Sequence, residues 1–315
     1  MNDNSGKTID VNDDSFVDNR PVDVPVITIE RYGDRKSNTV PPAKKSKRKL
    51  IILSTILVII VIVGSILWTK RYDLMSLGMP VSISDSENIR LLIQPFSPSA
   101  TGTELTTDSV LGVPMDFYSL QGLRASLENE LPDTTDKSLV LFMRSSDYHP
   151  DGANIGTLVV GGNRKEAKER KSRAAYMAIS KDGKPVIGVS LSDRMADYMT
   201  KTGGSFFRQY LMLSDATLPT EFYLHGKVER AAIARMNDGK LYYVVTHNKE
   251  SMYDFADALR EYGFVDAIYL TGGNSYIFYR DTDGNSHVPE ETKEKYNKYS
   301  DKSLPAPLLV FRNAN

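Results

Sequence analysis

The chain has 315 residues, of which 25% are charged, and a net charge of −1. That near-neutral balance leaves no global field to draw nucleic acid, and the length allows one large domain or two small ones with tails. There is no cysteine, which excludes structural disulfides, thiol nucleophiles and cysteine-ligated zinc.

Residues 1–43 are rich in Asn, Asp, Ser, Pro and Lys and read as a mostly disordered tail. One short apolar run, Val24–Ile29, interrupts it, either as a partner-binding strand or by chance. Lys44, Lys45, Lys47, Arg48 and Lys49 form a basic cluster. Leu50–Trp68 follows without a charge, as LIILSTILVIIVIVGSILW. A helix of that length spans about 28 Å, the thickness of a bilayer's hydrocarbon core. The excess of positive charge before it, against Lys70 and Arg71 after it, places the N-terminus in the cytoplasm. A signal anchor is expected, since no small-x-small cleavage site follows the apolar run. The expected order is a cytoplasmic tail (1–49), a transmembrane signal anchor (50–68), a stalk leading into the domain (69–110) and a folded domain (111–315). The membrane is thus an expected partner, crossed once, and the C-terminal domain lies outside the cytoplasm, in a periplasmic or extracellular space. The absence of cysteine fits such a compartment.

Phe117, Leu120, Leu123 and Leu127 recur at spacings that predict a helix over Phe117–Leu127. Leu139–Met143 is a strand, followed by the loop Arg144–Gly152 and a second strand, Ile155–Val160, ending at Gly161-Gly162. Asn163–Arg173 is strongly charged and reads as a solvated face or a contact for an anionic polymer. Ala174–Ile179 and Pro185–Leu191 flank Asp182-Gly183, a hairpin signal. Asp193–Met199 is helical, Gln209–Leu213 a strand, and the last strand lies within Pro305–Arg312. Asp281–Tyr299 is a polar surface loop.

The segment Arg230–Arg280 is the most informative. Ala231–Arg235 and Leu241–Thr246 are strands joined through Asn237-Asp238-Gly239. Ser251 caps a helix with Met252, Phe255, Leu259 and Tyr262 on one face, and Gly263 ends it. Strand Ala267–Leu270 then runs into Thr271-Gly272-Gly273-Asn274-Ser275 and strand Tyr276–Tyr279. This is a βαβ unit with a glycine-rich turn at a carboxyl end, where open α/β sheets place ligands. Many short strands with two or three helices give an α+β class: a mixed β-sheet domain with a few packed helices, preceded by a single transmembrane helix and a disordered tail.

The order of these features resembles the phosphodiester glycosidase domain family, over roughly Ser138 to Arg312. Arg230-Ala231-Ala232-Ile233-Ala234, the Asp238-Gly239 hairpin and the helix ending at Tyr262-Gly263 follow the family's pattern. Leu270-Thr271-Gly272-Gly273-Asn274-Ser275 matches the family signature Leu-Asp-Gly-Gly-Gly-Ser at four of six positions. Two departures stand out. Thr271 takes the acidic position, and Arg144-Ser145-Ser146-Asp147-Tyr148 replaces an Asn-Gly-Gly-aromatic-aromatic motif.

The resemblance implies hydrolysis of a sugar-1-phosphodiester. That reaction needs groups to hold the phosphate, and carboxylates to act as base, nucleophile or stabiliser of oxocarbenium-like charge. The candidate carboxylates are Asp147 and Asp151, both of which are also ordinary turn residues. Arg144, Arg208 and Arg230 are candidate phosphate contacts, with the Gly272 and Gly273 amides as an anion nest. Thr271, Asn274 and Ser275 complete the substrate-binding set; Asn274 and Ser275 either bond sugar hydroxyls or close the turn. A threonine hydroxyl cannot serve as a general base at neutral pH. Two readings therefore stand: an active hydrolase on a sugar-phosphodiester or envelope glycan, and a catalytically inactive relative that binds glycan or protein. No cofactor and no metal is expected; the four histidines, His149, His225, His247 and His287, have no metal-binding helical spacing.

Overall fold

A computed structural model describes residues 47–76, 85–149, 153–165, 167, 173–271, 278–288 and 307–314. The tail with Val24–Ile29, Asp151 and the Gly272–Ser275 turn lie outside the described residues. The chain divides into two units, Met1–Ile56 and Leu57–Asn315. Helix α1 (Lys47–Ser76) is continuous over 30 residues. Its side chains are described from Ile51 to Ile66, a stretch of about 24 Å, and all of them are exposed. Among the described residues no helix is long and apolar enough to cross a membrane.

Beyond α1, the described residues of the second unit form three sheets and three short helices. The first sheet has the order β1-β2-β12-β11-β13-β10. Its strands are β1 (Leu105–Val110), β2 (Val113–Ser119), β10 (Leu211–Leu213), β11 (Ala231–Met236), β12 (Leu241–Thr246) and β13 (Phe264–Leu270). The second sheet joins β3 (Arg124–Glu128), β4 (Leu139–Arg144), β14 (Phe278–Arg280), β15 (Ser286–His287) and β16 (Leu308–Arg312). The third joins β5 (Leu158–Val160), β6 (Asn163–Lys165), β7 (Ala175–Ile179), β8 (Pro185–Val189) and β9 (Ser205–Gln209). This sheet-rich arrangement with few helices is an α+β fold.

Strand periodicity explains the layering. On β11, Ala231 and Ile233 face the central core, while Ala232 and Ala234 face the helix layer. On β7, Ala175, Met177 and Ile179 face the centre, and Tyr176 and Ala178 face outward. On β16, Leu309 and Phe311 point in, and Leu308 and Val310 point to a separate outer cluster. Successive side chains of a strand point to opposite faces, so each strand glues two layers. Helix α4 (Met252–Tyr262) covers the first sheet through Phe255, Ala256 and Leu259. Helices α2 (Asp85–Ile93) and α3 (Arg194–Thr202) cover the third through Leu92, Met195 and Met199. Residues 85–110, within the stretch expected as stalk and domain entry, carry α2 and the edge strand β1.

The α4 segment forms as its sequence dictates. The Ser251 side chain accepts from the Asp254 amide at 3.0 Å, and Gly263, at φ 113°, sends its N–H back to Leu259 and Arg260 carbonyls. The strands flanking it, β12 and β13, are both antiparallel to β11. They therefore run parallel to each other with β11 between them. The expected βαβ unit is split, inside an otherwise antiparallel sheet.

Several sequence readings need correction. Phe117–Leu127 is not a helix: β2 and β3 flank a turn at Gly122, whose φ is 69°. Phe117 and Leu127 lie on different strands, and the helix-like spacing arose because both strand ends and both turn leucines are buried. The Gln209–Leu213 strand is interrupted at Tyr210, where the chain passes from the third sheet to the first. The second strand begins at Leu158, because the Ile155 amide is committed to the Asp147 carbonyl at 3.3 Å.

The polar loop after β14 begins as a hairpin. Asp281 pairs with His287 Nε2 at 2.7 Å and accepts from the Asn285 amide at 2.8 Å. The hydrogen bond from His287 is the main reason that the Asp281 carboxyl is held down to about 2. A lowered folded-state value contributes stability above the unfolded carboxylate range, about pH 4, and loses it as the pH falls through the folded value. Asp281→Asn should therefore flatten the decline of Tm between about pH 4 and pH 2. An equally steep acid limb in the variant would contradict this role.

Candidate functional site

The site lies where elements of all three sheets end together. Strand β4 delivers the loop that begins at Ser145. Thr271 directly follows β13, Arg173 lies two residues before β7, and Tyr210 sits at the junction of β9 and β10. Four side chains from these ends converge. Thr271 Oγ1 donates to Asp147 Oδ1 at 2.6 Å, across 124 residues of sequence. Arg173 donates to Asp147 Oδ2 at 2.8 Å and to the Ile155 carbonyl at 3.2 Å. The Arg173 guanidinium also lies 4.6 Å from the centre of the Tyr210 ring, a cation–π geometry.

Local structure fixes the carboxylate. The Asp147 carbonyl accepts from Ile155, and His149 N–H donates to the Ala153 carbonyl at 2.8 Å, so the loop folds back on itself. At its base, Ser145 Oγ donates to the Pro307 carbonyl, and Gln209 donates to the Ser145 carbonyl. The Arg173 side chain is only 4% exposed, against 24% for Asp147. The cation is therefore embedded while the carboxylate reaches solvent. A carboxylate offers about four acceptor positions, so the pairing with Thr271 and Arg173 leaves capacity for a ligand or water. Burial pushes the Tyr210 phenol up, which keeps it a neutral hydroxyl; Arg173 acts in the opposite sense.

The remaining candidates are placed as follows. Arg208 is buried and donates to the Ser190 and Ser192 carbonyls, to Asp193 and to the Arg173 carbonyl. Its guanidinium thereby braces the strand start that carries Arg173. Arg230 is 2% exposed and donates to the Glu250 and Gly226 carbonyls at 3.0 and 2.7 Å. It sits 5.7 Å from the Tyr269 ring, which in turn lies 6.4 Å from Tyr210. Arg144, at the end of β4, holds its guanidinium carbon 5.9 Å from the Tyr148 ring. Asp147 and Thr271 are thus brought into contact, Arg208 and Arg230 form a buried second tier, and Arg144 stands at the loop's entrance. Asp151, Gly272, Gly273, Asn274 and Ser275 lie outside the described residues. Among the described residues no group of His, Asp and Glu is arranged to hold a metal ion.

Sequence reasoning missed Arg173 and Tyr210. Arg173 closed a charged run read as a solvated face, yet it lies two residues before β7, whose residues are all buried. A cation at the mouth of a fully apolar strand was the available signal. Tyr210 carried none, because it looked like one more residue of a continuous strand.

The phosphodiester glycosidase family model matches residues 141–308. No curated protein matches the chain. Among solved structures, the chain is similar to the zebrafish N-acetylglucosamine-1-phosphodiester alpha-N-acetylglucosaminidase catalytic domain, auto-inhibited by its pro-peptide. That likeness has 15% identity and a TM-score of 0.46, over 70% of this chain and 86% of the other. It is also similar to a hypothetical protein from Synechocystis, at 10% identity and a TM-score of 0.43, over 67% of this chain and 62% of that one. With its family match covering more than half of the sequence, from within β4 to the start of β16, the chain belongs to the phosphodiester glycosidase family.

Proposed function

We propose that this protein is a membrane-anchored, extracytoplasmic phosphodiester glycosidase that cleaves a sugar-1-phosphodiester of an envelope glycan, with Asp147 as its working carboxylate. The observation that carries this reading is the contact between Thr271 Oγ1 and Asp147 Oδ1. The family's acidic position is occupied by threonine, but a carboxylate from the first loop lies within hydrogen-bond reach of it. In this reading the acid has moved from β13 to the loop after β4. Asp147 activates a water or stabilises positive charge at the anomeric carbon. Arg173 and Thr271 hold its two oxygens in place. Arg144 and the amides of Gly272 and Gly273 hold the phosphate. Release of free sugar from a hexose-1-phosphodiester by the purified full chain tests the assignment; a folded protein without turnover would contradict it.

The ion pair itself favours a second reading. Both Asp147 oxygens already accept hydrogen bonds from the protein, so the same site suits a family member that binds the glycan and leaves it uncleaved. Binding of the probe, unaltered by Asp147→Asn and without turnover, would select this alternative.

Anchoring by α1 is supported by the uncharged run Leu50–Trp68, the basic residues before it and the exposed apolar side chains from Ile51 to Ile66. The absence of native cysteine makes the topology easy to test. A membrane-impermeant maleimide applied to intact cells should label Ser109→Cys, which lies on the exposed edge strand β1, and not Ser37→Cys in the tail. Labelling of Ser37→Cys alone would reverse the proposed orientation.

A further inference from the structure

We propose that a cleft beside the site, between the 219–226 loop and the start of α4, is a glycan-binding subsite that takes a neutral oligosaccharide portion of the substrate. The cleft measures about 330 Å³ and is wholly formed by residues 219–226 and 251–253. That volume falls within the range of small-ligand sites. Its floor is apolar, from Phe222, Leu224 and Met252, and its rim carries Glu221, His225 and Tyr253. Tyr253 is 56% exposed although it is a large aromatic residue. Phe222 meets it at 6.4 Å and 80°, a T-shaped contact that steadies the Tyr253 ring while the residue stays more than half exposed. A pyranose ring has the matching chemistry: an apolar C–H face to lie on an aromatic ring, and hydroxyls around its edge for a carboxylate and an imidazole.

The cleft shares a wall with the site. Phe222 and Leu224 line it, and Tyr223 between them stacks on Tyr210 at 5.4 Å and 15°. Tyr210 is the ring beneath the Arg173 guanidinium that pairs with Asp147. The 222–224 segment therefore links the cleft to the ring beneath Arg173. This assignment rests on the glycosidase reading for its choice of ligand, but its test does not depend on turnover.

The full chain in detergent is titrated calorimetrically with cellotetraose and chitotetraose, with glucose and N-acetylglucosamine as short controls. At least one tetrasaccharide should bind at least about ten-fold more tightly than its monosaccharide. Tyr253→Ala should reduce that binding about ten-fold, and Tyr253→Phe, which keeps the ring, should restore it. The exposed position of Tyr253 leaves the core intact in both variants. Equal affinity for tetrasaccharide and monosaccharide, or no change in Tyr253→Ala, overturns the subsite. Tetrasaccharide binding with no cleavage of any phosphodiester sinks the hydrolase reading alone. Cleavage with no tetrasaccharide binding sinks the subsite alone.

Discussion

Asp147→Asn is expected to lower kcat/KM for a hexose-1-phosphodiester by about 10³-fold, within the range that a positioned acid or base contributes. Asparagine keeps the shape and one carbonyl acceptor, so Thr271 or Arg173 retains a partner. What it loses is the negative charge, which neither group can supply. The structural cost is smaller. Arg173 is only 4% exposed, but it keeps the Ile155 carbonyl, the Tyr210 ring and the asparagine carbonyl as partners, so the loss of stability should be about 1–2 kcal/mol. The variant should therefore be folded and inactive. Retention of more than about a tenth of wild-type kcat/KM would remove Asp147 from the chemistry.

Arg173→Met should have the largest effect on stability. The methionine roughly matches the aliphatic stem but abolishes the ion pair with Asp147, the bond to the Ile155 carbonyl and the guanidinium over Tyr210. Breaking a buried charged network of this kind costs about 3 kcal/mol. In a domain of this size that corresponds to a fall in Tm of about 6–12 °C, read by thermal unfolding. Arg173→Lys should lose about half as much, because an ammonium keeps the charge but not the planar fork that reaches two acceptors. A change of under about 2 °C in Arg173→Met would show that the guanidinium braces nothing.

The sequence announced the local parts of this fold well and the long-range parts poorly. The hairpin of β11 and β12, the Ser251 cap and the Gly263 stop all depend on residues within a few positions of each other. Phe117–Leu127 misled because a tight turn between two buried strand ends reproduces a helical spacing. Alternation within β2, with Met115 and Phe117 buried on the same side, was the discriminating signal. The split of the βαβ unit was invisible because strand order depends on partners far along the chain.

The site shows the same division. Asp147 was legible as a carboxylate in a loop after a core strand, and Thr271 as the residue where the family expects an acid. Their contact was not legible, since 124 residues separate them and neither one's local pattern points to the other. Arg208 and Arg230 looked like phosphate contacts because a bidentate guanidinium fork suits a phosphate. In the fold both guanidinium groups donate to backbone carbonyls, and that of Arg208 also to the Asp193 carboxylate.

The central claim is that a carboxylate displaced from β13 to the loop after β4 still does the family's work. Sugar release from one hexose-1-phosphodiester, measured for the wild type, Asp147→Asn and the double variant Asp147→Asn/Thr271→Asp, tests it most directly. The expected result is turnover by the wild type, a loss of about 10³-fold in the single variant, and recovery of at least about ten-fold when the carboxylate is returned to position 271. Equal rates in the wild type and Asp147→Asn, whether both active or both zero, would contradict it.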